Sequence, residues 1–249
     1  MICPPLADEH VASYRILYGF SEFLAEAGIA SFRFDPPGQG DSEGHLSDAT
    51  PEPIASAAQS AAHVLRERTD AENIGFLGLR LGCMPALLAA NSASASLCVA
   101  WAPILSAEHY FRDLLRRRVL SDVMYAGSRR SVDDLLADLT RDKSVDIGGY
   151  LLSRDVYDGF RARSFAAELE NSNVPVQVIQ SRNSGAGCPR NLTELVANTA
   201  TEALERDDEP FWSFPREGSL PPVPAAWYAA SLEWIRGLPA DQVAQDGIA

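Results

Sequence analysis

The stretch that most constrains the fold of this chain is Gly78-Leu79-Arg80-Leu81-Gly82, where two glycines flank one arginine. An apolar run, Ile74-Gly75-Phe76-Leu77, precedes the stretch, and an Ala/Leu-rich segment from Cys83 to Ala90 follows it. The run predicts a buried strand and the segment predicts a helix. A strand that turns directly into a helix strains the backbone at the apex and leaves little space beside it, which explains the glycines.

This arrangement of strand, sharp turn and helix is the layout of the nucleophile elbow of α/β hydrolases, usually written G-x-S-x-G. Here Arg80 stands where the serine would be. The sequence therefore predicts the frame of a hydrolase without its usual nucleophile.

Predicted helices and strands alternate along the chain. Leu17, Phe20 and Leu24 recur at helical spacing and place one helix before Gly28, and Pro51 begins a second helix. Alternation of this kind predicts an α/β fold, with a mostly parallel sheet covered by helices on both faces. The predicted strands are 29–34, 74–77, 97–101, 174–179 and a short one near Phe211-Trp212; the further helices are 83–90, 192–204 and 225–236.

The chain is predicted to form one domain, residues 1–249. With 249 residues and 46% hydrophobic content it can bury one large core. Helical patterns dominate residues 105–170, between two predicted strands, so we expect an inserted helical cap there. Met1 and Ile2 can supply only the end of the strand before Cys3-Pro4-Pro5, and we expect the N-terminal strands of the fold to be missing.

Charge and hydropathy exclude several classes of partner. The formal net charge of −13 disfavours binding to nucleic acid or to an anionic membrane, which need a basic surface. No apolar run is long enough for a membrane span, and the first residues do not resemble a signal peptide. The expected partner is a small-molecule ligand.

The cysteines indicate neither a metal site nor a disulfide framework. Cys3, Cys83, Cys98 and Cys188 are scattered and form no C-x-x-C pair. We therefore expect no metal and no cofactor, and reduced thiols in a cytoplasmic protein.

Five motifs in a fixed order carry a resemblance to a known family. The motifs are Cys3-Pro4-Pro5-Leu6-Ala7-Asp8-Glu9, Asp35-x-x-Gly38-x-Gly40-Asp41-Ser42-x-Gly44, Gly78-Leu79-Arg80-Leu81-Gly82, Gly149-Tyr150-x-Leu152-Ser153 and Pro210-Phe211-Trp212. Together they resemble the exosortase A system-associated hydrolase 2 family, a branch of the α/β hydrolases related to serine aminopeptidases. The resemblance covers nearly the whole chain and implies arginine at the elbow, a role beside exopolysaccharide and exosortase systems, and hydrolase ancestry.

The other two members of a serine triad are also missing from their expected positions. Serine hydrolysis needs a nucleophile, a base and an orienting acid within hydrogen-bond reach of one another. The acid would follow Ile179-Gln180, where the chain reads Ser181-Arg182-Asn183-Ser184-Gly185. The histidine would follow Phe211-Trp212, where the chain reads Ser213-Phe214-Pro215-Arg216-Glu217-Gly218. All three triad positions are therefore vacant.

Arg80 is the first candidate for ligand binding, together with the adjacent Leu81. Its guanidinium is permanently charged and offers a planar fork of donors that suits a carboxylate or phosphate. The alternative is an internal ion pair with Asp35, Asp8 or Glu9, which we expect in loops at the same edge of the sheet. The two alternatives are compatible if a ligand displaces the pair.

The candidates for catalysis are His10, His109 and Cys83. Either histidine could act as a base near neutral pH if it reached the cleft; a surface position is the alternative for both. Cys83 lies in the first turn of the elbow helix, where the helix dipole lowers a thiol pKa, but a buried packing role is the alternative.

Two functional hypotheses remain open from the sequence. The first is a hydrolase of a small ester, amide or acylated sugar that does not use an elbow serine. The second is an inactive pseudo-hydrolase that binds an anionic ligand or a partner protein through the cleft at Arg80.

Overall fold

A computed structural model describes residues 1–69, 71–127, 130–141, 144–181, 195–196, 201–214 and 219–238. Within these residues the central sheet has five strands, β1 (Ile2–Cys3), β2 (Gly75–Leu79), β3 (Leu97–Trp101), β6 (Val176–Ser181) and β7 (Thr201–Arg206). They lie side by side in this order, and every neighbouring pair is parallel. A separate antiparallel hairpin is formed by β4 (Val145–Asp146) and β5 (Leu151–Leu152).

Helices connect the strands and cover the sheet. The first three are α1 (Ala7–Glu26), α2 (Pro51–Thr69) and α3 (Cys83–Ser92). Between β3 and β6 come α4 (Ala107–Ala126), α5 (Val132–Thr140), α6 (Arg154–Arg161) and α7 (Phe165–Glu170), and α8 (Ala225–Gly237) follows β7. No helix of the described ranges is both long and apolar enough to cross a membrane.

The sheet separates two hydrophobic cores. Successive strand residues point to opposite faces, and in β2 the side chain of Phe76 enters one core whereas Leu77 and Leu79 enter the other. The first core also contains residues of α2, α3, α4, α5, α6 and α7, and the second contains residues of α1 and α8. The predicted α/β fold, a mostly parallel sheet with helices on both faces, is confirmed.

The first helix begins earlier than expected. Asp8 and Glu9 were predicted to lie in a loop, but α1 begins at Ala7, directly after the extended Leu6. Asp8 and Glu9 therefore lie in the first helical turn, where the helix dipole favours acidic side chains. The start of the helix at Ala7 fixes the direction in which each of the two carboxylates points.

The predicted strand 29–34 is not formed. Only Arg33 makes a bridge, to Ile2, and the N–H of Ile2 donates to the Phe32 carbonyl over 3.0 Å. The neighbouring β1 is only two residues long. Because β1 is so short, residues 29–34 cannot form a longer ladder with it.

Two predictions near the C-terminus are also wrong. Residues 201–204, expected at the end of a helix, belong to β7, where pairing with β6 overrides the local helical preference. Residues 195–196 of the predicted helix are helical, and residues 192–194 and 197–200 lie outside the described ranges. Phe211 and Trp212 form a turn rather than a strand, and both side chains are buried. The strand predicted at 174–179 lies two residues later, in β6.

Candidate functional site

The elbow has the backbone geometry that its glycines predict. Arg80 has a left-handed φ of 56° and begins a single 3-10 turn, Arg80–Gly82, between β2 and α3. A Cβ atom added at Gly82 would lie 2.5 Å from the carbonyl oxygen of Cys3, and one added at Gly78 would lie 2.5 Å from the carbonyl oxygen of Gly82. Both positions are therefore restricted to glycine by contact with backbone atoms.

The guanidinium of Arg80 pairs with the carboxylate of Glu9. Its Nε atom lies 3.2 Å from Oε1 and 3.4 Å from Oε2 of Glu9. Each of the two side chains is only 5% exposed. Of the three carboxylates that the sequence offered as partners, Glu9 is the one that meets Arg80.

Two aromatic rings complete what we call the Arg80 cluster, which consists of Arg80, Glu9, Tyr110 and Trp212. The guanidinium carbon lies 5.0 Å from the ring centre of Trp212 and 5.5 Å from that of Tyr110, within cation–π range. Tyr110 belongs to α4 and Trp212 to the turn after β7. The cluster thus joins the elbow to three other parts of the chain.

Tyr110 also lies beside Glu9 and lowers the pKa of its carboxyl group, a smaller effect than that of Arg80. Burial raises the pKa of Glu9, and the charge of Arg80 opposes that effect. Burial and the nearby Glu9 carboxylate raise the pKa of Tyr110 well above its ordinary value. The Tyr110 hydroxyl therefore stays protonated beside Glu9.

The other two predicted carboxylates lie elsewhere. Asp8 is half-exposed, with Oδ2 3.9 Å from Nη1 of Arg117. Asp35 is close to His10, with 3.4 Å between Oδ1 and Nε2, and its Oδ2 accepts the N–H of Asp41 over 3.0 Å. Neither carboxylate takes part in the Arg80 cluster.

His10 follows Glu9 in α1 but points in another direction. Neighbouring residues of an α-helix project about 100° apart, so the helix that directs Glu9 to Arg80 directs His10 to Asp35. Burial lowers the pKa of His10, and the charge of Asp35 opposes that effect. The result is a buried imidazole beside a carboxylate, separate from the elbow.

His10 makes the stability of the fold dependent on pH. Its folded-state pKa lies below the ordinary value of 6.5, so the unfolded chain takes up the proton more readily as the pH falls below 6.5. The free energy of unfolding should therefore decrease there, by at most about 1.4 kcal/mol per pH unit for one proton. Urea denaturation between about pH 7.5 and pH 5.5 measures the slope, which His10→Gln should reduce.

His63 supplies the control for that measurement, because it is exposed and, among the described residues, pairs with the exposed Glu67. His63→Gln should leave the slope almost unchanged. Equal slopes for the wild type and His10→Gln would contradict the assignment of this pH dependence to His10.

The remaining candidates do not join the Arg80 cluster as reactive groups. His109 is exposed, and it is the next residue, Tyr110, that turns inward. The thiol of Cys83 is buried within 3.2 Å of the Gly78 carbonyl oxygen and 3.3 Å of the Trp101 carbonyl oxygen. Leu81 is buried beside Tyr110, at a cavity of about 20 Å³, which has room for about one water molecule.

The triad positions can be followed only in part. Ser181 ends β6 and donates its hydroxyl to the Asp208 carbonyl over 2.7 Å, whereas residues 182–185 lie outside the described ranges. Ser213 and Phe214 are described, but residues 215–218 are not. Within the described ranges no set of three potential metal ligands comes together.

Sequence reasoning missed Tyr110 as a member of the site and named Trp212 only as part of a motif. Tyr110 lies on the buried face of α4, and its sequence signal is a helical spacing shared with apolar neighbours. The buried residues of that face are Ala107, Tyr110, Phe111, Leu114 and Leu115. A tyrosine among them indicates a hydroxyl that needs a buried partner.

Comparisons with known proteins identify the fold. No family model matches the chain, and no curated protein matches it. Among solved structures it is similar to Est1E from Butyrivibrio proteoclasticus with ferulic acid bound, with a TM-score of 0.65, 16% identity, and coverage of 89% of this chain and 84% of that one. It is also similar to a structure of the metagenome-derived lipolytic enzymes LipS and LipT, with a TM-score of 0.61, 16% identity and coverage of 90% and 89%.

A third similar structure is alpha/beta hydrolase domain-containing protein 10 from mouse, with a TM-score of 0.59 and 14% identity over 96% of this chain and 89% of that one. At such identities the likeness concerns the fold, because one fold carries many activities. The chain therefore has the α/β-hydrolase fold, with Arg80 at the apex of the elbow.

Proposed function

We propose that this chain is a pseudo-hydrolase, an α/β-hydrolase-fold protein that acts by binding rather than by serine hydrolysis. The observation that carries the proposal is the Arg80 cluster itself. The apex that would present a nucleophile presents a guanidinium, which is permanently protonated and has no lone pair for attack. That guanidinium is buried against Glu9 and two aromatic rings.

The proposal extends to the surroundings of the cluster. Residues 105–170 would act as a cap, since Tyr110 of α4 packs on Arg80. An anionic ligand at Arg80 would have to displace the Glu9 carboxylate, because the pair is almost completely buried. A cytoplasmic role beside an exopolysaccharide system rests on the family resemblance, and the free thiols of Cys3, Cys83 and Cys98 fit a reducing compartment.

Fluorophosphonate labelling and aryl-ester hydrolysis test the proposal. Phosphonates need a hydroxyl activated by a base, and we expect neither labelling nor ester cleavage above the level of a heat-unfolded sample. Arg80→Ser should not restore either activity, because within the described residues the group paired with the apex is the buried Glu9 carboxylate, whereas His10 pairs with Asp35 and His109 is exposed. Stoichiometric labelling of one serine, or rapid ester cleavage by Arg80→Ser, would contradict the proposal.

The second candidate function is hydrolysis of a small ester by water activated at His10. The observation in its favour is the His10–Asp35 pair, in which a carboxylate can orient an imidazole as general base. LipS and LipT, which have a similar fold, are named as lipolytic enzymes, and this agrees with the second candidate at the level of the fold. Ester cleavage that is lost in His10→Gln and kept in His109→Gln would select it over the pseudo-hydrolase.

A further inference from the structure

Arg33 differs from Arg80 in having no carboxylate partner. Its guanidinium carbon lies 4.8 Å from the ring centre of Tyr14 and 5.0 Å from that of Tyr18. Within the described part of the chain, Arg33 makes neither an ion pair nor a side-chain hydrogen bond. Its N–H donors are thus available, although the chain as a whole carries a net charge of −13.

The tyrosines hold this guanidinium in place. Tyr14 and Tyr18 are four residues apart in α1, so their rings lie on the same side of the helix. Stacking on aromatic faces restrains a guanidinium and leaves its edge free to bind a carboxylate with two parallel hydrogen bonds. Arg33 is therefore preorganised as a receptor for an anion.

A cavity of about 120 Å³ lies beside Arg33. Cavities of about 150 Å³ with apolar walls accommodate benzene, so this one has room for one ring or a short branched chain. Its walls combine apolar and polar side chains. The residues that line it are Ile2, Pro4, His10, Tyr14, Leu17, Arg33, Phe34 and Asp35.

The carboxylate of Asp35, in the wall of this cavity, already has two partners. Asp35 lies against Nε2 of His10 and accepts the N–H of Asp41. Burial lowers the pKa of His10, which keeps the imidazole neutral at neutral pH. The Asp35 carboxylate is thus hydrogen-bonded, but a neutral His10 does not compensate its charge. Arg33 supplies the positive charge at the cavity and, within the described residues, makes no ion pair.

We propose that this cavity binds a small monocarboxylate with a compact apolar body. The carboxylate bonds to the free edge of the Arg33 guanidinium, and the apolar body fills the space between Ile2, Leu17 and Phe34. The site is separate from the Arg80 cluster. The proposed binding of a carboxylate does not depend on whether the elbow has catalytic activity. The proposal therefore goes beyond the proposed function.

Calorimetric titration with benzoate and with benzyl alcohol tests the site. The two probes are similar in shape, but only benzoate carries a charge. We expect saturable benzoate binding with a dissociation constant on the order of 1 mM, as for a ligand of few atoms. Benzyl alcohol should bind about tenfold more weakly, since it lacks the paired hydrogen bonds to Arg33.

Arg33→Met should weaken benzoate binding about tenfold and leave benzyl alcohol binding unchanged. Arg236→Met is the matched control, because Arg236 is exposed and bonded only to the Ala27 carbonyl. Benzoate should also shift the NMR signals of the His10 ring and not those of His63. The proposal is overturned if benzoate does not bind, if Arg33→Met and the wild type bind it equally, or if the His10 signals do not move.

Discussion

Arg80→Met will lower the free energy of unfolding by about 3–5 kcal/mol, the usual cost of removing one partner of a buried ion pair. The substitution leaves the Glu9 side chain buried beside Tyr110 without a charged partner in the cluster. Methionine keeps the side chain long and apolar, so lost volume contributes little. Urea denaturation followed by circular dichroism measures the change.

Two further variants separate the ion pair from general damage to the core. The double variant Arg80→Met/Glu9→Leu should recover most of the lost stability, because apolar replacement of a whole buried pair is often neutral or stabilising. Arg112→Met removes a partly exposed arginine paired with Glu108 and Asp133, and should cost much less than Arg80→Met, because exposed ion pairs contribute little to stability. If Arg80→Met lowered the free energy of unfolding no more than Arg112→Met, the Arg80–Glu9 pair would not stabilise the fold as a buried ion pair.

Gly82→Ala will destabilise the fold by at least about 3 kcal/mol, the upper range for overpacking in a rigid core. The new Cβ would lie 2.5 Å from the carbonyl oxygen of Cys3 and would also clash with the carbonyl group of Pro4. These are backbone atoms at the end of β1, so the strand must move away from β2 to make space. We expect a large decrease in the urea midpoint, or loss of soluble protein.

Gly237→Ala is the control for a glycine without such constraints. Gly237 ends α8, and an added Cβ would meet no atom within 4 Å. Alanine should therefore be neutral or stabilising by up to about 1 kcal/mol. A Gly82→Ala protein as stable as the wild type would show that the elbow does not approach β1 as closely as described.

The sequence by itself determined the fold class and the frame of the site. Gly78 and Gly82 predicted the strand–turn–helix because only glycine fits between closely spaced backbone segments, and that restriction is local. The strand at 97–101 and the helices beginning at Pro51 and Ala225 followed from hydrophobic spacing and proline position, which are also local signals. The absence of serine from the apex was visible in the same stretch.

Only the tertiary structure decided which groups meet Arg80. Asp8, Glu9 and Asp35 were equivalent partners in the sequence, and the start of α1 at Ala7 set the helical phase that turns Glu9 inward and leaves Asp8 at the surface. Tyr110 and Trp212 reach the apex from α4 and from the turn after β7. Such contacts depend on how distant segments pack, and residue spacing along the chain carries no information about them.

Strand pairing gives a second example of what the sequence determined and what only the tertiary structure decided. Residues 29–34 have the composition of a strand, but with β1 only two residues long they form a single bridge. Residues 201–204 have helical spacing, but they lie beside β6 and complete a ladder with it as part of β7. Sequence periodicity therefore indicated which segments are buried, whereas the availability of a neighbouring strand decided which of them became part of the sheet.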